Sequence, residues 1–271
     1  MGIELRYRVV DVFSDRALAG NAVCVVLDPC PEPVMGAIAR EVNLSETTFP
    51  TVIGADEYEV RIFTPTVELP FAGHPSLGTA WVLGPRRWTQ TSEGATVVVE
   101  ADEMGAVMGQ PTPEISEAPK ALLTDSTLPG AEGAEGAYRA QAGGIAHLLI
   151  PTTVRLDRLR PSPAAVAEVA QRARATTVAL FTWRDDAMLH VRVFVPGPEG
   201  SSGGGFEDPG TGSAAGPIAL LARRLWGTAA DVTICQGDEI GRPCRIEAHA
   251  EDGDVRVGGR IAACAEGRFT L

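Results

Sequence analysis

The alternation of apolar and polar positions divides the chain into short strands with a few helices between them. Runs of period two, or with clustered β-branched residues, predict strands at Tyr7–Phe13, Asn21–Leu27, Thr47–Ile53, Tyr58–Thr64, Thr96–Ala101 and Gly105–Gln110. Between them Pro33–Val42 and Pro75–Leu83 predict helices, each opening on a proline whose missing N–H costs nothing in a first helical turn. The second half repeats the style. Strands are expected at His147–Pro151, Thr177–Trp183, Leu189–Val195, Val232–Gln236, Cys244–Ala250 and Asp254–Gly258, and helices at Pro163–Ala173 and Gly212–Trp226. The pattern lapses at Asp125–Gly136, a stretch of Gly, Ala and Glu with one proline, which reads as a linker. The expected organisation is a domain over residues 1–125, a linker over 126–136 and a domain over 137–258.

A self-similarity lies beneath this pattern. Arg61-Ile62-Phe63-Thr64-Pro65 recurs as Arg192-Val193-Phe194-Val195-Pro196, an offset of 131, and Gly73-x-x-Ser76 recurs as Gly210-x-x-Ser213, an offset of 137. The 6 additional residues (137 − 131) fall in Pro196–Gly205, which carries Ser201-Ser202-Gly203-Gly204-Gly205 and reads as a local insertion. The unit implied is a strand, a glycine turn and a helix N-terminus, built twice. Two such units facing each other would form a symmetric cleft, and interfaces between domains are where ligand sites concentrate.

Composition narrows the function. At 271 residues, 45% hydrophobic and 21% charged, with a mean hydropathy of +0.06, the chain can bury a large core. A net charge of −12, with no local Lys/Arg cluster, argues against nucleic acid as a partner. The longest apolar runs, such as Ala22–Leu27, fall far short of the roughly 20 residues a membrane-spanning helix needs. Glu4 stands where a signal peptide carries a basic segment, so a cytoplasmic location is expected. Five cysteines (24, 30, 235, 244 and 264) form no C-x-x-C pair, which argues against a disulfide framework or a zinc site; Cys24 reads as a small buried hydrophobe. The four histidines are dispersed, and no metal site is expected. Lys120 is the single lysine and lies in a loop-like Pro-Lys-Ala stretch, a poor anchor for Schiff-base chemistry.

Three polar segments meet regular elements: Asn43-Leu44-Ser45-Glu46-Thr47, Phe71-Ala72-Gly73-His74-Pro75 and Phe206-Glu207-Asp208-Pro209-Gly210-Thr211-Gly212-Ser213. A helix N-terminus offers unpaired N–H groups and partial positive charge, so the turns at Gly73-His74 and Gly210–Ser213 can hold a carboxylate or oxyanion. Simple helix capping by Asp208, Thr211 or Ser213 is the competing reading. No Gly-Lys-Ser/Thr ending supports a nucleotide loop. A Glu a few residues after a helix is usually just solvated, but Glu46 precedes Thr47-Thr48-Phe49 and so stands at a strand entrance, where a poorly solvated carboxylate can shuttle a proton at carbon. His74 and Asp208 can supply the matching acid or orient the substrate.

These residues carry a family resemblance. Val10-Asp11-Val12-Phe13 with Gly20-Asn21, Asn43–Thr47, Arg61–Pro65, Glu68-Leu69-Pro70-Phe71-Ala72-Gly73-His74-Pro75, and Glu207-Asp208-Pro209 with Thr211-Gly212-Ser213 together resemble the PhzF-like isomerases of phenazine biosynthesis, within the diaminopimelate epimerase-like fold. The resemblance implies an α/β fold of two pseudo-symmetric domains, each a curved, barrel-like sheet around a central helix, with the C-terminal strand (about 259–271) returning to the first domain. It also implies a homodimer and a cofactor-independent isomerase of secondary metabolism, of the antibiotic-biosynthesis kind, acting on a small conjugated carboxylate. Glu46 matches the glutamate that moves a proton between two ring carbons. His74 and Asp208 match residues that hydrogen-bond and polarise the substrate, while Ser45, Gly73, Gly212 and Ser213 match substrate-binding positions. The related amino-acid epimerases use two facing thiols; Ala72 and Pro209 are read as holding those places, so two-thiol chemistry is not expected. Gly210 departs from the family, which more often has a small residue with a β-carbon there. A binding protein that keeps the cleft without catalysis is the alternative.

Overall fold

A computed structural model describes residues 2–124, 126–142, 144–185, 187–196 and 206–271. In chain order the first elements are β1 (Glu4–Val12), β2 (Asn21–Val26), α1 (Glu32–Val42), β3 (Glu46–Val52), β4 (Glu57–Phe63), β5 (Glu68–Leu69), α2 (Gly73–Leu83), β6 (Arg86–Thr91), β7 (Thr96–Ala101) and β8 (Gly105–Gln110). There follow β9 (Glu114–Glu117), α3 (Ala121–Thr124), β10 (Tyr138–Ala142), β11 (Ile145–Pro151), α4 (Pro163–Ala173), β12 (Thr177–Asp185), β13 (Met188–Phe194) and β14 (Glu207–Asp208). The chain ends with α5 (Gly212–Trp226), β15 (Asp231–Gln236), β16 (Cys244–Glu251) and the long β17 (Asp254–Thr270). Among the described residues the first compact unit holds the chain to Gly109 and again Gly258–Leu271, and the second holds Gln110 to Val257.

In the first unit β1 pairs antiparallel with β2 and, on its other edge, with β17, from Glu4 opposite Thr270 to Val12 opposite Ile261. From β2 the ladder continues to β3 (parallel), β4 (antiparallel), β6 (parallel), β7 and β8 (both antiparallel), and β8 pairs with β17. This circuit of eight strands returns to β1, so the sheet is a closed barrel. Helix α2 fills it: His74 to Ala80 are all buried, and the helix packs against β1, β2, β3 and β7. A helix apolar on every face is one surrounded by protein. Its close approach rests on Gly78, where an added β-carbon would stand 2.5 Å from Val23 Cγ1 and 3.0 Å from Val12 Cγ2. Helix α1 is amphipathic and buries Met35 and Ile38 in a cluster with Leu5, Cys24, Val26 and Phe49. Burial pushes the Cys24 thiol up to about 12, as fits an inert hydrophobe.

The second unit runs the same order of pairings. β9, β10 and β11 are successively antiparallel, β11–β12 is parallel across α4, β12–β13 antiparallel, β13–β15 parallel across α5, and β15–β16 antiparallel. Helix α4 places Val166, Val169 and Ala170 in a core with Leu148, Ile150, Val178 and Leu180, and α5 packs on β10, β11, β15 and β16. The internal repeat is thus a repeat of topology. Its Arg-x-Phe motif does the same work twice: Arg61 Nε and Nη2 donate to the Glu68 carboxylate at 2.7 and 2.8 Å, and Arg192 Nε and Nη2 donate to Glu207 at 2.8 and 2.6 Å. Each guanidinium also lies over the phenylalanine two residues on, 5.3 Å from the Phe63 ring centre and 5.1 Å from that of Phe194.

Three expectations need correction. The segment 126–136 belongs to the second unit, because Leu128 is buried in its core and Gly130 is closed against Leu180 and Leu159. The first unit's N-terminal part ends at Gly109 rather than residue 125, because β9 (Glu114–Glu117) already pairs with β10 of the second unit. The downstream repeat is in register at 139 rather than 137, since α2 and α5 start at Gly73 and Gly212 and the paired glutamates are Glu68 and Glu207. Ala72 therefore corresponds to Thr211, each the N-cap residue of its helix, and Pro70 to Pro209. The insertion read at Pro196–Gly205 lies, from residue 197 on, outside the described residues.

Candidate active site

Glu46 owes its place to the end of α1. Asn43 adopts a left-handed conformation (φ 52°) and its N–H caps the Ala39 carbonyl, which stops the helix and releases Leu44-Ser45 into a turn. Asparagine tolerates this region better than most residues. β3 then begins at Glu46, paired in parallel with Val23 of β2. The next two residues, Thr47 and Thr48, are buried, and Thr48 Oγ1 lies 2.8 Å from Thr79 Oγ1 of α2. The strand entrance is therefore pinned to the central helix.

His74 sits in the first turn of α2, nine-tenths buried. Its Nε2 is 3.0 Å from Oε2 of Glu46, whose side chain is 15% exposed, an ion-pair distance at which the two groups are not aligned as a hydrogen bond. On the other side of the ring Nδ1 faces the amide nitrogen of the fully buried Asn21 at 3.4 Å. An amide N–H can only donate, so Nδ1 is the acceptor and a neutral ring carries its proton on Nε2. The turn before α2 is tied down by polar residues inside the barrel. Ser76 Oγ donates to the Ala72 carbonyl at 2.7 Å, Gln90 Nε2 donates to Ser76 Oγ at 2.8 Å, and Tyr58 donates to Gln90 Oε1 at 2.7 Å. An added β-carbon at Gly73 would stand 2.9 Å from Met108 Cε, the free end of a flexible side chain.

In the second unit Asp208 closes β14 and Gly212-Ser213 opens α5. Thr211 Oγ1 donates to Asp208 Oδ2 at 2.5 Å, and the Gly210 N–H points at Oδ1 at 3.4 Å. Gln110 Nε2 donates to the Gly212 carbonyl at 2.8 Å. Thr211, the N-cap residue of α5, makes no side-chain capping bond. Beneath Ser213 lies His147, wholly buried, with Nδ1 2.7 Å from Thr177 Oγ1. Burial pushes this ring down to about 4, the Ser213 backbone working in the opposite direction.

Of the residues singled out from sequence, Ser45, Glu46, Gly73 and His74 belong to the first unit, where Glu46 and His74 meet; Asp208, Gly212 and Ser213 belong to the second, around the start of α5. Sequence reasoning passed over Asn21, Thr211 and Gln236 as site residues. Asn21 had a signal in the Gly-Asn step before β2, while Gln236 had none beyond ending an apolar strand. Among the described residues no group of three or more His, Cys, Asp and Glu side chains is gathered to hold a metal ion, and no helix is long and apolar enough to cross a membrane.

A closed eight-stranded ring around a buried helix, with its pairing order repeated in a second unit, is an epimerase-type architecture. The hydroxyproline epimerase of Agrobacterium vitis shares it with a TM-score of 0.60 at 12% identity over 99% of this chain and 93% of that one, a likeness of fold. The sequence signature of the PhzC-PhzF family, the phenazine biosynthesis-like proteins, matches residues 10–267, and the chain belongs to that family. Trans-2,3-dihydro-3-hydroxyanthranilate isomerase of Pseudomonas aeruginosa is 38% identical over 98% of this chain and 99% of its own length. The Bacillus anthracis PhzF-family protein has the same fold, with a TM-score of 0.83 at 19% identity over 99% of this chain and 100% of that one. By this kinship the chain is an isomerase.

Proposed function

We propose that this isomerase moves a proton between two carbons of a small, conjugated, carboxylate-bearing metabolite in secondary metabolism of the phenazine type. The observation that carries the reading is the Glu46 carboxylate, 3.0 Å from the His74 imidazole and largely shielded from water. A carboxylate so placed takes a proton from a carbon whose electrons spread into a conjugated system, then returns it to a second carbon; no atom is gained or lost. His74, carrying its proton on Nε2, steadies the carboxylate and polarises the substrate. Asp208 hydrogen-bonds the substrate, and Ser45, Gly73, Gly212 and Ser213 bind it, Gly212 and Ser213 through the N–H groups and positive end of α5. Preorganised donors around developing charge supply the stabilisation that a cofactor would otherwise provide. The enzyme acts as a cytoplasmic homodimer.

The test uses trans-2,3-dihydro-3-hydroxyanthranilate, the compound named in the relatives, as probe substrate. Glu46→Gln, which keeps the shape and removes the base, lowers kcat by about 10²–10⁴-fold, the usual share of general acid–base catalysis, with an unchanged circular dichroism spectrum. Full activity in that variant refutes the assignment. Binding of the aromatic analogue 3-hydroxyanthranilate without turnover of the probe by wild type would favour a binding protein instead. Light scattering of the purified chain at twice the monomer mass is expected, and a monomer contradicts the dimer.

A further inference from the structure

Gln236 ends β15 with its side chain 1% exposed, and the polar groups around it fix its orientation. The Thr211 N–H, which can only donate, faces Oε1 at 3.2 Å; the Asp208 carbonyl, which can only accept, faces Nε2 at 2.7 Å. The second hydrogen on Nε2 points at Thr211 Oγ1, 3.0 Å away. Because the amide nitrogen cannot accept, the threonine hydroxyl accepts there and turns its own proton to Asp208 Oδ2, 2.5 Å away. Donation therefore runs in one direction, from Gln236 to Thr211 to Asp208.

This use of Thr211 is not the one its position suggests. An N-cap threonine ordinarily accepts from an N–H of the first helical turn, yet α5 receives no such bond from it. The hydroxyl is committed to the carboxylate, at the expense of the cap it would otherwise supply. A bond to a charged acceptor is roughly twice as strong as one between neutral groups, which makes the exchange favourable.

We propose that Gln236 and Thr211 are positioning residues that fix the rotamer of the Asp208 carboxylate and keep its Oδ2 an acceptor while substrate binds. The proposal rests on the reading of Asp208 as a substrate-contacting residue. Gln236 sets the hydroxyl, and the hydroxyl sets the acid. A β-branched residue of the same shape without the hydroxyl should fold and lose the effect, whereas a serine should restore it.

The experiment compares Thr211→Val, Thr211→Ser, Gln236→Met and Glu46→Gln with wild type in kcat and KM on the probe substrate used above, together with crystal structures of the two Thr211 variants. Expected are a fall in kcat of at least about 10-fold for T211V and Q236M with KM changed less, activity within about threefold of wild type for T211S, and an Asp208 side chain that leaves its rotamer in T211V and keeps it in T211S. The proposal is overturned if T211V matches wild type while E46Q is inactive, if T211V and T211S fall alike, or if Asp208 stands unmoved in T211V. An active E46Q defeats the functional reading instead, and the two crystal structures then decide the positioning claim on their own.

Discussion

His147 makes the protein sensitive to mild acid in a way that can be worked out from its surroundings. The ring is 0% exposed, its Nδ1 is engaged with Thr177 Oγ1, and burial holds it down to about 4 against an ordinary value of 6.5. It stands by the backbone of Ser213, whose carbonyl lacks the usual helical donor because Pro217, four residues on, has no N–H. The folded state keeps this histidine neutral, while the unfolded chain protonates below about 6.5. A depressed histidine therefore contributes stability that is complete above the unfolded value and is lost as pH falls from about 6.5 toward 4. The span of about 2.5 pH units is worth roughly 3 kcal/mol, and about 2 kcal/mol is gone by pH 5. Urea unfolding followed by tryptophan fluorescence at pH 7, 6 and 5 measures it. The wild type should lose about 2 kcal/mol more between pH 7 and 5 than His147→Gln, which can still bond Thr177 but does not titrate. Parallel pH profiles for the two proteins, or an imidazole NMR titration near 6.5 in the native state, would refute the argument.

The two arginine forks offer a matched pair, because the same bonds occur at different depths. The Arg192 and Glu207 side chains are 5% and 7% exposed, and Arg192 also donates to the Leu156 and Leu159 carbonyls, so Glu207→Gln removes the fork, leaves the buried cation only the more distant Glu239 carboxylate at 3.9 Å, and should cost about 3 kcal/mol in chemical denaturation. Glu68→Gln, at a pair about one-third exposed, should cost about 1 kcal/mol or less, and equal losses would contradict this accounting. Gly78→Ala drives a methyl into Val23 and Val12 inside the first barrel and should destabilise by about 1–3 kcal/mol; a stabilised variant would mean that α2 sits less tightly than described.

Much of the fold is legible in the sequence where apolar periodicity and burial coincide. The helices α4 and α5 have the bounds their pattern predicts, because each carries an apolar stripe between a favourable start and a left-handed stop, at Arg174 and Gly227. Strand β6 escapes notice because one of its inward residues is Gln90, a polar side chain made acceptable inside the barrel only by Tyr58 and Ser76, which arrive from other elements. The stretch 126–136 reads as a linker because small residues suit both loops and close packing. Only the tertiary fold shows that Gly130 and Gly133 are pressed against Leu180 and Thr153. The place of Glu46 at a strand entrance is legible in advance, whereas the bonding of Gln236 is not. Its role depends on a turn 25 residues earlier (236 − 211), and nothing local marks it.

The most direct test is a crystal structure of the protein with the aromatic analogue bound. The account predicts the analogue's ring against the Glu46 carboxylate, with the proton-transferring oxygen within about 3.5 Å of a ring carbon and His74 Nε2 within hydrogen-bond reach of Glu46 or the ligand. A bound ring that touches neither side chain would contradict it.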